Sequence, residues 1–155
     1  MKKHLTDFCS FLEKEGILIG EVRPDVIDEF IKELMSRADE LTRIAMVVSD
    51  HYDMPIDMLN RHTRARIVVG PRQMAMYMMV KYTEKSNAVI GAFFQDGNHF
   101  FDHATVTHSV KTVDNLRQTD NSYRKVFYEV DRKVRVWFSP EKIANHEKTR
   151  ALPVS

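Results

Sequence analysis

Apolar residues recur at helical spacing along nearly the whole chain, and this pattern limits the fold most. No glycine or proline occurs between Pro24 and Pro55. Within that stretch the apolar residues stand three and four positions apart, which places them along one face of a helix. Five glycines and five prolines among 155 residues are too few for a fold of short strands and tight turns. The sequence therefore predicts an all-α helical bundle.

Prolines and capping residues indicate where the helices begin. Proline suits the first turn of a helix, where its missing N–H group is not needed, so Pro71 is expected to open a methionine-rich core helix. Asp102 is a good N-terminal cap for a later helix. Helices are predicted over residues 4–15, 25–53 (one helix, or two with a bend near 37–40), 56–60, 72–83, 87–94, 102–118 and 121–136.

Charge is divided unevenly along the chain. Residues 1–43 carry seven basic and ten acidic side chains, whereas residues 44–155 carry sixteen basic and twelve acidic ones. Such asymmetry suggests an acidic contact surface in one part and a basic surface in the other. We therefore expect an acidic amphipathic helical extension at 1–43, a principal domain at 44–138 and a tail at 139–155.

The sequence lacks the marks of a secreted, membrane or catalytic protein. Cys9 is the single cysteine, so an internal disulfide and a cysteine zinc cluster are excluded. No apolar run approaches the ~20 residues of a membrane helix, and none follows the basic N-terminus as a secretory signal requires. No G-x-x-x-x-G-K-[ST] motif and no catalytic set occurs. We expect a cytoplasmic protein that is not an enzyme and that uses no metal or cofactor.

Two of the predicted helices form a helix-turn-helix pattern. The short helix at 87–94 and the longer one at 102–118 are joined by residues 95–101, and in this motif the second helix enters the major groove of DNA. Val106, Val110 and Val113 form the buried stripe of the second helix. The outward face then carries small and polar residues suited to base edges and phosphates, namely Ala104, Thr107, His108 and Lys111. On this pattern alone the signal is weak, because two helices and a turn occur in most all-α proteins, and an ordinary helical hairpin is the better explanation.

Three motifs in a fixed order favour the DNA-binding interpretation. They are Pro71-Arg72-Gln73-Met74-Ala75-Met76-Tyr77, then Ile90-Gly91, then Asp102-His103-Ala104-Thr105-Val106 with His108-Ser109. Together they resemble the C-terminal DNA-binding domain of the bacterial replication initiator DnaA family, over about residues 44–136. The resemblance implies a helix-turn-helix fold like that of the Trp repressor.

The resemblance also implies roles for individual residues. Arg72 is expected to reach into the minor groove, and the cluster at Asp102, His103, Ala104 and Thr105 to contact the major groove. A basic approach loop would contact phosphates. The complete set of candidate DNA-binding residues is Arg61, Arg64, Arg66, Arg72, Gln73, Lys81, Asp102, His103, Ala104, Thr105, Thr107, His108 and Lys111.

The sequence departs from the family pattern in three places. Phe101 stands where the family has arginine, Ala104 stands where it has threonine, and the loop at 95–101 is about four residues longer. These departures concern the DnaA-box sequence specificity rather than DNA binding as such, since an alanine can still contact a thymine methyl group.

We expect a double-stranded DNA-binding protein, sequence-specific and acting in replication or transcription control. Residues 1–43 would complete the core or bind a second copy or a protein partner. Two alternatives stay open, a protein-interaction module that kept the fold and lost DNA contact, and a DNA-targeting domain that serves an enzyme. The first interpretation requires Arg72 and the cluster that begins at Asp102 to converge on one exposed cationic surface.

Overall fold

The computed structural model describes residues 12, 14 and 24–138. The chain forms two compact units, Met1–Asp39 and Glu40–Ser155. Within the described ranges the secondary structure is helical, with no strand beyond one isolated bridge between Asp96 and His99, so the all-α prediction is confirmed. The first unit contains α1 (Pro24–Arg37), and the second contains α2 (Glu40–His51), α3 (Ile56–Asn60), α4 (Arg66–Tyr82), α5 (Asn87–Phe93), α6 (His103–Thr119) and α7 (Asn121–Arg135).

The segment without glycine or proline forms two helices rather than one long helix. A break at residues 38 and 39 separates α1 from α2, which agrees with the predicted bend. The predicted division at residues 43 and 44 falls inside α2. The predicted tail at 139–155, and all of the helix at 4–15 except residues 12 and 14, lie outside the described residues.

Helix α4 begins earlier than its proline suggests. The backbone N–H groups of Val68 and Val69 both donate to the carbonyl oxygen of Ala65, at 2.9 Å, so the helix is established before Pro71. Pro71 is buried inside the helix, and the prediction that it opens the helix was wrong. A proline there removes one backbone hydrogen bond. The burial of Val68 and of the side chains beyond it offsets that loss, since each removes apolar surface from water.

Helix α4 occupies the centre of the second unit, where it packs against α2, α3, α5, α6 and α7. Met74, Met76, Met78 and Met79 are all fully buried, as predicted for a core stripe. Buried side chains point in every direction around this helix because neighbours surround it. Methionine suits that position, since its unbranched side chain adapts to gaps between several packed helices.

A buried polar cluster fastens the C-terminal end of α4 to α7. The Tyr82 hydroxyl donates to Asp131 Oδ1 at 2.6 Å, and Lys81 Nζ lies 2.7 Å from the same oxygen. Arg135 contributes a longer ion pair to the other carboxylate oxygen, at 3.8 Å. Burial, followed by the hydrogen bond to Asp131, raises the pKa of Tyr82 well above its ordinary value. The cluster is satisfied internally, as buried polar groups must be.

Helix α6 presents its predicted apolar stripe to the core. Val106 and Val113 are fully buried, while Val110 and Leu116 are half-buried. The Tyr77 hydroxyl of α4 donates to Asp114 in the C-terminal half of α6, at 3.2 Å.

Among the described residues, no helix is sufficiently long and apolar to cross a membrane.

Candidate nucleic-acid interface

A close backbone approach at Gly91 sets the turn between α5 and α6. The Phe101 N–H group donates to the carbonyl oxygen of Gly91 at 3.2 Å. A Cβ atom on Gly91 would lie 2.2 Å from the carbonyl oxygen of Phe101 and 3.1 Å from that of Asp102. The first distance is far below van der Waals contact, so only glycine lets α6 begin this close to α5.

Asp102 caps the N-terminus of α6, as predicted. Its Oδ1 atom accepts hydrogen bonds from the backbone N–H of Thr105 at 2.8 Å and from the Thr105 hydroxyl at 2.7 Å. These bonds from Thr105 stabilise the carboxylate and lower the pKa of Asp102 below its ordinary value. The cap therefore fixes where α6 begins and which of its residues face outward.

The outward face of α6 carries the residues that the helical spacing predicted. Ala104, Thr107, His108 and Lys111 are all exposed, and His103, which the spacing did not include, is exposed beside them. The prediction for their orientation is confirmed, while their contact with DNA stays a prediction. Two imidazoles and an ammonium group give this face hydrogen-bond donors that can approach base edges or phosphates.

The hydroxyls of Thr105 and Thr107, near the N-terminus of α6, are already engaged within the protein. The Thr105 hydroxyl donates to Asp102, and the Thr107 hydroxyl donates to the carbonyl oxygen of His103 at 2.9 Å. The Asn87 amide, at the start of α5, donates to Thr107 Oγ1 at 3.1 Å. Since both hydroxyl protons are used, each threonine is prepared to accept a further hydrogen bond rather than to donate one.

A second cluster of positive charge precedes α4. Arg61, Arg64 and Arg66 are all exposed, and we call residues 61–66 the basic segment. Two local hydrogen bonds shape it: the Thr63 N–H donates to the carbonyl oxygen of Arg61 at 2.9 Å, and the Ala65 N–H donates to the side-chain oxygen of Thr63, Oγ1, at 3.2 Å. The arginines thus stand on a short structured loop from which their side chains reach into solvent.

Arg72 holds the basic segment from beneath. Its side chain is only 6% exposed, and the guanidinium donates to the carbonyl oxygens of Arg61 at 2.7 Å and of Thr63 at 3.3 Å. The guanidinium carbon also lies 4.4 Å from the centre of the Phe101 ring, in a cation–π contact. Burial lowers the pKa of Arg72, although an arginine stays charged near neutral pH.

The expectation that Arg72 is an exposed side chain was therefore wrong. Helix α4 begins six residues before Arg72, so its side chain points into the protein rather than lying at a free helix start. Arg72 does converge with the start of α6, as expected, but through a buried contact with Phe101. A reach into the minor groove would require these contacts to break.

The loop between α5 and α6 also contacts the basic segment. We call residues 94–102 the turn loop. The His62 N–H group donates to Asp96 Oδ2 at 2.9 Å, and the His62 and His99 rings stack with centroids 5.1 Å apart. Paired backbone hydrogen bonds of 2.8 and 2.9 Å between Asp96 and His99 close the tip of the loop, where Gly97 has a φ of +58°.

One predicted DNA contact, Lys81, lies apart from this assembly, and another, Gln73, is only partly accessible. Lys81 belongs to the polar cluster around Asp131 at the other end of α4, where its ammonium group has a carboxylate partner. About 24 Å of helix separates the two ends of α4, from the rise of 1.5 Å per residue. Gln73 is half-buried beside Arg72 in the sequence. The structure thus brings the basic segment and the α6 face together without Lys81.

The residues that fasten the two parts do not follow from the sequence motifs. The motifs mark Phe101 only as the loss of an arginine, and they predict no DNA-binding or structural role between these two parts for His62, Asp96 and His99. The sequence feature that could have indicated them is an aromatic residue directly before the capping Asp102, at the end of a loop rich in polar and aromatic residues.

Within residues 12, 14 and 24–138, no group of three or more His, Cys, Asp or Glu residues is placed to hold a metal ion.

The fold and the site define a helix-turn-helix domain whose second helix has an exposed polar face beside a cationic loop. Residues 41–113 match the family described as bacterial dnaA protein helix-turn-helix. The second unit therefore contains a helix-turn-helix domain of the bacterial DnaA type, as the three sequence motifs indicated.

Curated relatives agree with this assignment. The chain is 38% identical over 125 residues to the chromosomal replication initiator protein DnaA of Flavobacterium psychrophilum, an alignment covering 81% of the chain and 25% of that protein. It is 33% identical over 116 residues to the same protein of Bacteroides thetaiotaomicron, covering 75% of the chain and 21% of that protein. The chain spans about a quarter of the length of these relatives.

Proposed function

We propose that the second unit binds double-stranded DNA, with α6 in the major groove and the basic segment on the phosphate backbone. One observation carries the proposal: the buried contacts of Arg72 join the basic segment to the start of α6. The exposed arginines of the basic segment and the outward face of α6, with its small and polar side chains, therefore belong to one rigid assembly. A helix face and a flanking cationic loop are what groove binding and phosphate binding respectively need.

The exposed residues divide into two roles under this proposal. Arg61, Arg64 and Arg66 neutralise phosphates, because their charged groups reach solvent from a structured loop. On α6, His103 and Ala104 approach base edges, and the alanine is small enough to contact a thymine methyl group. Lys111, two turns further along the same face, meets a phosphate. Arg72 supports the loop from within and is not required to touch DNA.

Binding of labelled duplexes at two salt concentrations tests the proposal. The wild-type chain is expected to bind at micromolar concentration or tighter. Arg64→Ala should weaken binding. It should also reduce the magnitude of the salt slope, which is the slope of log affinity against log salt concentration, by about one. Arg132→Ala is the matched control, because Arg132 is an exposed arginine on α7, beside the polar cluster at the far end of α4. Failure of the wild-type chain to retard any duplex would refute the proposal.

We extend the proposal to sequence-specific binding in replication or transcription control, in the cytoplasm at the nucleoid. The relatives named as chromosomal replication initiators support this context. Comparing a duplex that carries a DnaA box with a random-sequence duplex tests specificity. Equal affinities would leave a DNA-binding domain without that specificity, whereas tighter binding to the box would support a role at such sites.

We also propose that residues 1–43 contact a second copy of the chain or another protein. The supporting observation is that Ile27 and Ile31, one helical turn apart on α1, are 42% and 44% exposed. The double variant Ile27→Asp, Ile31→Asp, made in the full chain, should shift a dimer toward monomer in sedimentation velocity. A wild-type chain that is monomeric and retains no protein partner would argue against this role.

A further inference from the structure

We propose that Phe101 is a positioning residue for DNA binding: its ring holds the Arg72 guanidinium in place, and Arg72 in turn holds the basic segment against the start of α6. This inference rests on the proposed function and adds a residue that contacts no DNA itself. It also assigns a purpose to the turn loop, which contacts His62 of the basic segment through Asp96, His99 and Phe101.

The geometry makes Arg72 a link between two loops. On one side its guanidinium donates to the carbonyl oxygens of Arg61 and Thr63, at 2.7 and 3.3 Å. On the other side the ring of Phe101 covers it, with the guanidinium carbon 4.4 Å from the ring centre. One accepting carbonyl belongs to Arg61, and the other belongs to Thr63, directly before Arg64 in the chain. The position of Arg72 therefore determines where these two exposed cations lie.

Burial explains why the aromatic ring matters. Because Arg72 as a whole is only 6% exposed, its charged guanidinium needs compensation for lost hydration, and two carbonyl oxygens accept only part of its five donors. The face of an aromatic ring supplies electrostatic attraction and excludes water at the same time. The partners that accept its hydrogen bonds are neutral carbonyls, so the positive charge of Arg72 persists beneath the surface and adds to the potential that attracts phosphates.

The backbone around Phe101 is itself held firmly. Its N–H group donates to the carbonyl oxygen of Gly91, and its own carbonyl packs against Gly91 too closely for any side chain there. The next residue, Asp102, caps α6. Phe101 therefore stands on a rigid support, and its ring transmits the position of the α6 start to Arg72.

Three further contacts, all made by His62, connect the same two loops. Asp96 accepts a hydrogen bond from the backbone of His62, and the His62 ring stacks on His99 at an interplanar angle of 8°. The His62 ring centre also lies 5.9 Å from that of Phe101. These contacts are exposed and weaker than the buried one, so we expect Phe101 and Arg72 to dominate.

Limited trypsin cleavage of the DNA-free protein measures the positioning directly. Arg61 and Arg64 are exposed cleavage sites, and their cleavage rate rises when the segment loosens. We expect Phe101→Ala and Phe101→Leu to raise that rate about tenfold, and Phe101→Tyr to keep it near the wild-type value because the ring remains. Phe100→Ala is the matched control, since Phe100 is the adjacent phenylalanine and is 65% exposed; its cleavage rate should not change.

Binding of a labelled duplex completes the test. Phe101→Leu should weaken DNA binding about fivefold while the salt slope stays near that of the wild type, because the phosphate contacts still form after the segment is ordered. Arg72→Lys should behave similarly, since an ammonium group cannot reproduce the planar contacts of a guanidinium. Far-ultraviolet circular dichroism identifies the variants that are folded, and Phe101→Leu, which keeps an apolar side chain, guards against loss of fold in Phe101→Ala.

Each result supports or overturns a distinct claim. Unchanged cleavage and unchanged affinity in folded Phe101→Leu would overturn the inference and leave the proposed function intact. Weakened binding with unchanged cleavage would also overturn it, because Phe101 would then contact DNA directly. If the wild-type chain binds no duplex, the proposed function fails and this inference fails with it, whatever the cleavage rates.

Discussion

The backbones of Gly91 and Phe101 approach so closely that a methyl group on Gly91 would lie 2.2 Å from the Phe101 carbonyl oxygen. That approach places the start of α6 against the end of α5 and determines the angle at which the outward face of α6 is presented. A glycine in the middle of a helix is intrinsically unfavourable, so its presence in α5 has to be explained by this contact.

Gly91→Ala should therefore destabilise the protein despite the better helix propensity of alanine. We expect a loss of about 1–3 kcal/mol in the free energy of unfolding, because the clash is with backbone atoms that cannot move without displacing α6. Urea denaturation followed by circular dichroism measures it. Gly70→Ala is the control, since Gly70 has open space around its Cβ position, and that variant should be neutral or slightly more stable.

The stabilising effect of the Asp102 cap should depend on pH. Hydrogen bonds from Thr105 lower the pKa of Asp102 in the folded protein, so the carboxylate stabilises the fold above its ordinary pKa. That contribution is lost as the pH falls through the lowered value. Asp102→Ala should reduce the thermal midpoint at neutral pH, and the difference from wild type should shrink in strongly acidic buffer. A difference that is constant from neutral to acidic pH would contradict this account of the cap.

Local signals in the sequence predicted the helices well wherever a cap or a turn defined them. Helix α3 has the predicted bounds, and α6 begins directly after the capping Asp102. The outward residues of α6 followed from the spacing of Val106 and Val113, because one buried stripe fixes the opposite face of a helix. These features depend on residues within a few positions of one another.

Features that depend on distant residues could not be predicted in the same way. The position of Arg72 in the sequence, directly after Pro71, suggested an exposed helix start, yet Phe101 covers its guanidinium from 29 positions away. Likewise, the charge of Lys81 suggested a phosphate contact until the structure placed Asp131 beside it. Tertiary packing decides whether a cation faces solvent, and the composition and periodicity of a sequence do not reveal that packing.

Lysines 81 and 111 should consequently behave in opposite ways. Lys81→Ala should lower the free energy of unfolding by about 1 kcal/mol, since it leaves the carboxylate of Asp131 short of a partner, and should leave the salt dependence of DNA binding unchanged. Lys111→Ala should lower the salt slope by about one while stability stays nearly constant. Urea denaturation and binding at several salt concentrations measure the two effects. A reduced salt slope in Lys81→Ala would contradict this prediction, because it would mean that Lys81 contacts DNA.

A negative charge at the start of α6 should weaken DNA binding strongly without harming the fold. Ala104 is exposed in the first turn of α6, where a glutamate is favourable to the helix because it meets the positive end of the helix dipole. In the proposed complex the same glutamate would face the DNA and be repelled by its phosphates. We expect Ala104→Glu to weaken binding at least tenfold at low salt, with a smaller deficit as salt screens the repulsion.

Ser122→Glu provides the matched control for that variant. Ser122 is the second residue of α7, as Ala104 is the second residue of α6, and it is also exposed. Ala104 lies at the N-terminal end of α6 and Ser122 lies just past its C-terminal end, and α6 itself is about 24 Å long. Both variants should keep the wild-type thermal midpoint or raise it slightly, while only Ala104→Glu loses affinity. Equal loss in both would indicate a response to net charge alone and would contradict the placement of α6 in the major groove.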